Sequence, residues 1–353
     1  MVEAFDFSRL RKQRQKETGL RGGFDDPITW IDTGNYAINK MISGDFHKGV
    51  PLGAVTVFAG EPGSGKSYLV SGNIIRDALD KGCIVVVIDT EDALKHKWMG
   101  ALGVDTEHPN LYKENCATIN QVASCIHFWT KPYIDAYKST PRAEQQQKIL
   151  FVVDSFSMLQ TETEIEQFEG QDLKGDKGIK ARALKMLVTN CIRLFSGYEI
   201  GLVATNHIYK SQDRYAPDDI ISGGTAFLYA PSIVVSMNKF KLKEDADGNR
   251  TPEVLGIRSK IKCLKTRYSK PFEEVEVHIP YATGMDHYSG LFDMCKQKGA
   301  FRKDGNRWSY TSRDGTEHKL YRKDMTPEFY DMVMREWDDT REAPTSEGED
   351  DAE

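Results

Sequence analysis

Eight consecutive residues carry the most specific chemistry in the chain. Gly60-Glu61-Pro62-Gly63-Ser64-Gly65-Lys66-Ser67 fits G-x-x-x-x-G-K-[ST] in full. It lies between an apolar run and a segment of helical periodicity, the context that gives this motif its meaning. The glycines let the backbone curl until several N–H groups point inward at the positive end of a helix dipole. The Lys66 ammonium supplies a point charge for β- and γ-phosphates, and the Ser67 hydroxyl an oxygen for Mg2+. A chance Gly-rich turn is the plainer reading and explains neither flank.

Carboxylates recur where such a site needs them. Asp154 ends the apolar run in FVVDS, and an acid at a strand's C-terminal end can bind the water shell of Mg2+ beside Ser67. A helix-capping aspartate is the alternative. Asp89, Glu91 and Asp92 follow another apolar run, in VVVIDTEDAL. One of them would orient or deprotonate an attacking water, and residue type alone does not choose among the three.

These residues need a rigid frame. The segments AVTVFA (54–59), CIVVVID (83–89), KILFVVD (148–154) and IGLVATN (200–206) read as buried strands. They alternate with helical stretches over Lys66–Lys81, Asp92–Gly103 and Gly178–Phe195. Continuous Val/Ile runs separated by helices predict an α/β fold with a mainly parallel sheet covered on both faces. After 231, SIVVSMNKF, EVLGIRSKIKCLKTR and FEEVEVHIP alternate with turns such as ADGN and predict antiparallel strands extending that sheet. From 286, a helical stretch, the turn in RKDGNRW and a helix near 327–338 predict a small appended α+β domain. Two stretches inside the core, about 160–178 and 208–224, lack periodicity, and loops of that length are usually functional or disordered. The division that follows is 1–35, a basic N-terminal segment; 36–283, the core; 284–341, the small domain; and 342–353, an acidic tail.

Composition narrows the classes. A chain of 353 residues, 39% hydrophobic and 10% aromatic, can bury a sizeable core, and no run approaches the ~20 apolar residues of a membrane helix. The N-terminus carries charges where a signal peptide needs its apolar region, so a soluble intracellular protein is expected. The six cysteines have no C-x-x-C spacing and read as free thiols, with Cys83 and Cys191 in apolar runs. The net charge of −6 resides in EAPTSEGEDDAE at 342–353, whereas residues 1–24 carry +3. An acidic total therefore does not exclude an anionic partner.

The order of the motifs resembles the RecA recombinases. The phosphate loop is followed by IDTEDAL and LGVD, by VVDS with TEIE downstream, by ATNH, and by SGGTAFLYA. The set is most similar to the UvsX recombinases of bacteriophages, over roughly 25–340. The resemblance implies a RecA-type phosphate-loop ATPase core using ATP and Mg2+, with Ser67 and Asp154 at the metal. It selects Glu91 as the catalytic carboxylate. It implies a nucleotide site of Gly60, Glu61, Pro62, Gly63, Ser64, Gly65, Lys66, Ser67 and Tyr68, with Trp98 near the adenine. Asn206 and His207 would sense the γ-phosphate. Most of the family has Gln at the second position, so His207 is a departure, and histidine, unlike glutamine, changes charge near neutral pH.

The resemblance also makes the two aperiodic stretches DNA-binding loops. The first holds Phe168, Lys174, Gly175, Lys177 and Gly178, with Lys180 and Arg182 opening the next helix; the second holds Tyr209, Lys210, Arg214 and Tyr215 and ends in Gly223-Gly224. Bases bind phosphates, glycines allow close approach, and aromatics stack on or wedge between DNA bases. Glu162, Glu164, Glu166 and Glu169 cannot all face phosphate, and a solvated loop is the bland alternative. Lys265 and Arg267, in KCLKTRYSKPF, match two basic residues that cross a subunit interface to a neighbour's ATP, acting like arginine fingers. An exposed basic strand face is the alternative, and it suits Lys262 and Lys270 better. The basic head SRLRKQRQKETG can be written as an amphipathic helix; the resemblance implies an oligomerisation segment that docks on the adjacent protomer, and a plain surface helix and a direct DNA contact are the alternatives, which sequence does not rank. The acidic tail reads as disordered.

The activity expected is a DNA-dependent ATPase that forms a helical filament on single-stranded DNA and exchanges strands with a homologous duplex. Its setting would be a phage-infected bacterial cytoplasm, with phage single-strand-binding and loader proteins as partners and no membrane. A ring-forming helicase motor on the same core and an ATP-gated DNA-binding regulatory protein are the competing readings.

Overall fold

The computed structural model describes residues 6–18, 26–171, 178–209, 220–222, 229–244 and 250–337. Helix α1 (Phe7–Thr18) leads, with the Asp6 carboxylate accepting from the Arg9 N–H and with Phe7 and Leu10 exposed. A two-stranded ribbon of β1 (Trp30–Ile31) and β2 (Val50–Pro51) brackets α2 (Tyr36–Ser43), whose Asn35 cap accepts from the Ile38 N–H.

The core is built on β3 (Val55–Gly60), β4 (Ile84–Asp89), β5 (Leu111–Asn115), β6 (Ile149–Asp154) and β7 (Ile200–Tyr209). The short β8 (Ile220–Ile221) pairs with β7. Three longer strands, β9 (Ile233–Leu242), β10 (Gly256–Lys265) and β11 (Glu274–Pro280), complete the sheet, in the order β11-β10-β9-β3-β7-β6-β4-β5. Strands β9, β3, β7, β6, β4 and β5 run parallel to one another, and β10 and β11 add an antiparallel extension beyond β9. This is the mainly parallel α/β sheet with antiparallel strands that the sequence predicts.

Alternation of side chains explains why the central strands are apolar throughout. Phe58, Val85, Val87, Leu150 and Val152 enter one core; Val57, Val86, Ile88, Phe151 and Val153 enter the other. The period of two sends each neighbour to the opposite face, and both faces are covered. The second face packs under α5 (Ile119–Tyr137) and α7 (Ile179–Phe195). The first carries α2 and the phosphate-loop helix, which is π-helical over Tyr68–Ile74 and continues as α3 (Ile75–Asp80). All six cysteines are buried free thiols. Among the described residues no helix is long and apolar enough to cross a membrane.

Two expectations change. The helix expected over Asp92–Gly103 is only α4 (His96–Ala101), because residues 92–95 form a turn with Asp92 at φ +51°. The stretch from 160, expected to be aperiodic, holds α6 (Glu162–Glu169). Its start is a capping box: the Thr161 hydroxyl accepts from the Glu164 N–H, and the Glu164 carboxylate accepts from the Thr161 N–H. Beyond the sheet come α8 (Leu291–Gln297), the antiparallel strands β12 (Arg302–Asp304), β13 (Arg307–Thr311) and β14 (Glu317–Leu320), and α9 (Pro327–Arg335). They share the first apolar core through Leu291, Phe292, Tyr330 and Val333.

Candidate nucleotide site

The site forms where β3, β4, β6 and β7 all end, the usual place for ligands on a parallel sheet. The register brings the pieces together: Gly60 pairs with His207, Ala59 with Asn206, and Asp89 with Asp154. Residues far apart in sequence thus meet on one edge without any long side chain having to search for its partner.

The phosphate loop curls as its glycines permit, with Gly63 at φ +73° and Gly65 at φ +97°. A Cβ on Gly60 would stand 2.5 Å from the Met237 carbonyl oxygen, so the chain can pass there only as glycine. Lys66 is buried and folds over its own loop, donating to the Gly60 and Glu61 carbonyls at 2.9 Å each. Burial pulls its ammonium pKa below the ordinary value, opposed by the Asp154 and Glu91 carboxylates and aided by Lys239. The Ser64 hydroxyl is buried beside Gly60 with no hydrogen-bond partner. A glycine-permitted curl with a buried cation and an orphan hydroxyl fits a polyphosphate.

Asp154 is buried at the end of β6. Its carboxylate accepts from Ser71 at 3.0 Å and from Thr205, and Ser67 also hydrogen-bonds to it. Burial raises its pKa, and these hydroxyls pull it back. An all-oxygen set of one carboxylate and a serine hydroxyl suits a hard cation such as Mg2+. Such an ion would neutralise phosphate charge when bound.

The three acids at the end of β4 and just beyond it separate cleanly. Asp89 is buried and saturated: it accepts from the N–H groups of Glu91, Ala93 and Leu94 and meets the Lys113 ammonium at 3.0 Å. It holds the turn. Asp92 is exposed, bound by Lys95 at 2.7 Å and by the Asn115 side chain. Glu91 is the acid turned towards the strand ends: its Oε1 accepts from the Ser155 hydroxyl at 2.8 Å and lies 3.3 Å from His207 Nε2. Asn206 is buried, donating to the Ser222 carbonyl and accepting from the His207 N–H.

Tyr68 follows the loop, and its hydroxyl accepts from the Met285 N–H at 3.2 Å. Trp98 stands exposed on α4, whose end approaches the phosphate-loop helix closely enough that a Cβ on Gly72 would lie 3.3 Å from Leu102 Cβ. Sequence reasoning missed Lys239, which donates to the Pro62 carbonyl, and the hydroxyls of Ser71, Thr205 and Ser155. A lysine on an exposed strand reads as a solvated face, so no sequence signal marks it.

Of the expected DNA-binding residues, Gly178 caps α7 in the left-handed conformation, Arg182 is exposed, and Tyr209 is 58% exposed at the end of β7. Lys180 is half-buried and donates to the Ser157 carbonyl. Phe168 is exposed on α6. Lys174, Gly175, Lys177, Lys210, Arg214, Tyr215, Gly223 and Gly224 lie outside the described residues. Lys265 ends β10 and donates to the Tyr229 carbonyl, with its pKa lowered by burial and by Arg267.

Fold and site together define a phosphate-loop nucleotide-binding protein with a RecA-type core. No family model matches the chain. Curated proteins do: it is 26% identical over 309 residues to the protein RecA of Geobacter sulfurreducens, covering 86% of this chain and 83% of that one. It is 27% identical over 317 residues to RecA of Chlorobium chlorochromatii (87% and 80%) and 26% over 347 residues to RecA of Corynebacterium jeikeium (93% and 83%). Similarity to RecA thus runs across most of the chain and supports kinship with that family.

Proposed function

We propose that this protein is a DNA-dependent ATPase of the RecA family that forms filaments on single-stranded DNA and drives homologous pairing and strand exchange. The observation that carries the reading is the convergence of Lys66, Asp154, Glu91, Asn206 and His207 at the ends of adjacent strands, one of which runs on into the second loop. Lys66 and the loop N–H groups hold phosphate. Glu91 takes the proton of the attacking water. His207 and Asn206 connect that event to β7 and the segment beyond it. The motif order that resembles the phage UvsX proteins supports the narrower proposal of a phage recombinase, working in the infected host's cytoplasm with phage single-strand-binding and loader proteins. The division at residues 35, 283 and 341 belongs to the same proposal.

The test is negative-stain microscopy with single-stranded DNA and a non-hydrolysable ATP analogue, followed by a joint-molecule assay. Helical filaments and homology-dependent pairing are expected. Closed hexamers that unwind duplex on ATP would make it a helicase motor, and filaments without pairing would make it a regulatory DNA-binding protein.

A further inference from the structure

Glu91 does not stand alone. Ser155 is buried, and its hydroxyl lies 2.8 Å from Glu91 Oε1 and 2.7 Å from the Ser157 hydroxyl. A carboxylate only accepts, so the single Ser155 proton goes to Glu91, and Ser155 must accept from Ser157. The donors therefore run in one direction, Ser157 to Ser155 to Glu91, and each bond polarises the next. The backbone fixes the chain of hydroxyls at its centre. Thr90 Oγ1 accepts from the Ser155 N–H and donates to the Ser155 carbonyl, both at 2.8 Å, and the Thr90 N–H binds the Asp154 carbonyl at 2.8 Å. At the far end, the Lys180 ammonium donates to the Ser157 carbonyl at 2.9 Å. Lys180 opens α7, two residues after Gly178 and next to the first loop.

We propose that Ser157 and Ser155 form a hydroxyl relay that aims the Glu91 carboxylate at the attacking water and ties it to Lys180 at the mouth of the first loop. Both serines are then positioning residues: each acts through Glu91. The inference rests on Glu91 being the base. The Lys180 contact gives the relay a second role. A phosphate of bound DNA competing for that ammonium would loosen the turn at Ser157, change the Ser155–Glu91 bond, and so couple occupancy of the loop to hydrolysis. Nothing in the resemblance assigns these two serines a role.

The experiment is steady-state ATPase on the full chain, with and without single-stranded DNA, alongside nucleotide binding. Ser155→Ala removes a hydrogen bond to a charged group, and kcat should fall about tenfold with KM for ATP held within about twofold. Ser157→Ala should lower kcat about threefold and reduce the stimulation by DNA, while Ser157→Thr, which keeps the hydroxyl, restores both. The double Ser155→Ala/Ser157→Ala variant should be no worse than Ser155→Ala alone, since a relay broken once is already broken. Independent, additive losses would overturn the relay. So would wild-type kcat in Ser155→Ala while Glu91→Gln is inactive. Normal turnover by Glu91→Gln would instead bring down the base assignment, and the relay with it. Ser157 is only half-buried, so its variants remain informative if Ser155→Ala fails to fold.

Discussion

At the scale of single residues, the three acids at the end of β4 and just beyond it have the same chemistry and three different environments, and environment decides their roles. Glu91→Gln keeps the shape of the side chain and its contact with Ser155 but cannot take a proton. Hydrolysis should fall by roughly 10²-fold or more while nucleotide binding persists, measured by ATPase rate against equilibrium binding. Asp92→Asn, altering an exposed group held by Lys95, should leave the rate within about threefold. Asp89→Asn halves the acceptors available to three backbone N–H groups, so its effect should be on stability, about 1–3 kcal/mol by denaturant titration. A larger rate loss from Asp92→Asn than from Glu91→Gln would move the base by one residue. Lys66→Ala should abolish hydrolysis, since positioning and electrostatics supply nearly all the catalysis of phosphoryl transfer. An ATPase rate within about twofold of wild type would reject the phosphate site.

At the scale of elements, legibility followed burial. The strands at 54–59, 83–89, 148–154 and 200–206 could be read because a strand covered on both faces has no polar position to break its run. The sheet edge could not: Leu111–Asn115 in β5 is polar at most positions, and the sequence pattern predicts no element between 104 and 147. There α5 runs through Pro132, which reads as a breaker, although Thr118 and Gln121 form a capping box that marks its start. Helix α6 was hidden by its four glutamates, yet T-E-T-E is itself a capping box. The site was legible where one motif holds it, in the phosphate loop. It was illegible where the hydroxyls of Ser71 and Thr205 meet the Asp154 carboxylate and that of Ser155 meets Glu91, because serine and threonine occur everywhere and only register brings them together. The second loop carries a testable consequence. Lys210→Ala with Arg214→Ala should weaken single-strand affinity and flatten its salt dependence by about 0.7 in slope per lost phosphate contact. DNA-independent ATPase should survive, and an unchanged slope would remove both residues from the DNA site.

At the scale of the whole molecule, register says where Lys265 cannot act. It pairs with Val234 on β9, which pairs with Val57 on β3. That position lies two strands across, about 10 Å, and some 10 Å down β3 from Gly60, towards the end of the sheet away from the chain's own phosphate loop. If Lys265 and Arg267 serve a nucleotide, it is a neighbour's, and each site is then built from two protomers. A protein carrying Lys265→Ala and Arg267→Ala should still bind nucleotide through its intact loop. It should lose hydrolysis, because charge developing on the γ-phosphate goes unmatched. Lys66→Ala protein has the reverse defect, a disabled loop beside intact basic residues. Mixed together on saturating single-stranded DNA, the two should recover ATPase, since some interfaces pair a working loop with working partners. The measurement is a titration of one inactive, folded variant into the other. An ordinary basic strand face offers no such rescue. Activity that never exceeds the sum of the separate variants, in mixtures shown to co-assemble, would return Lys265 and Arg267 to that plain role.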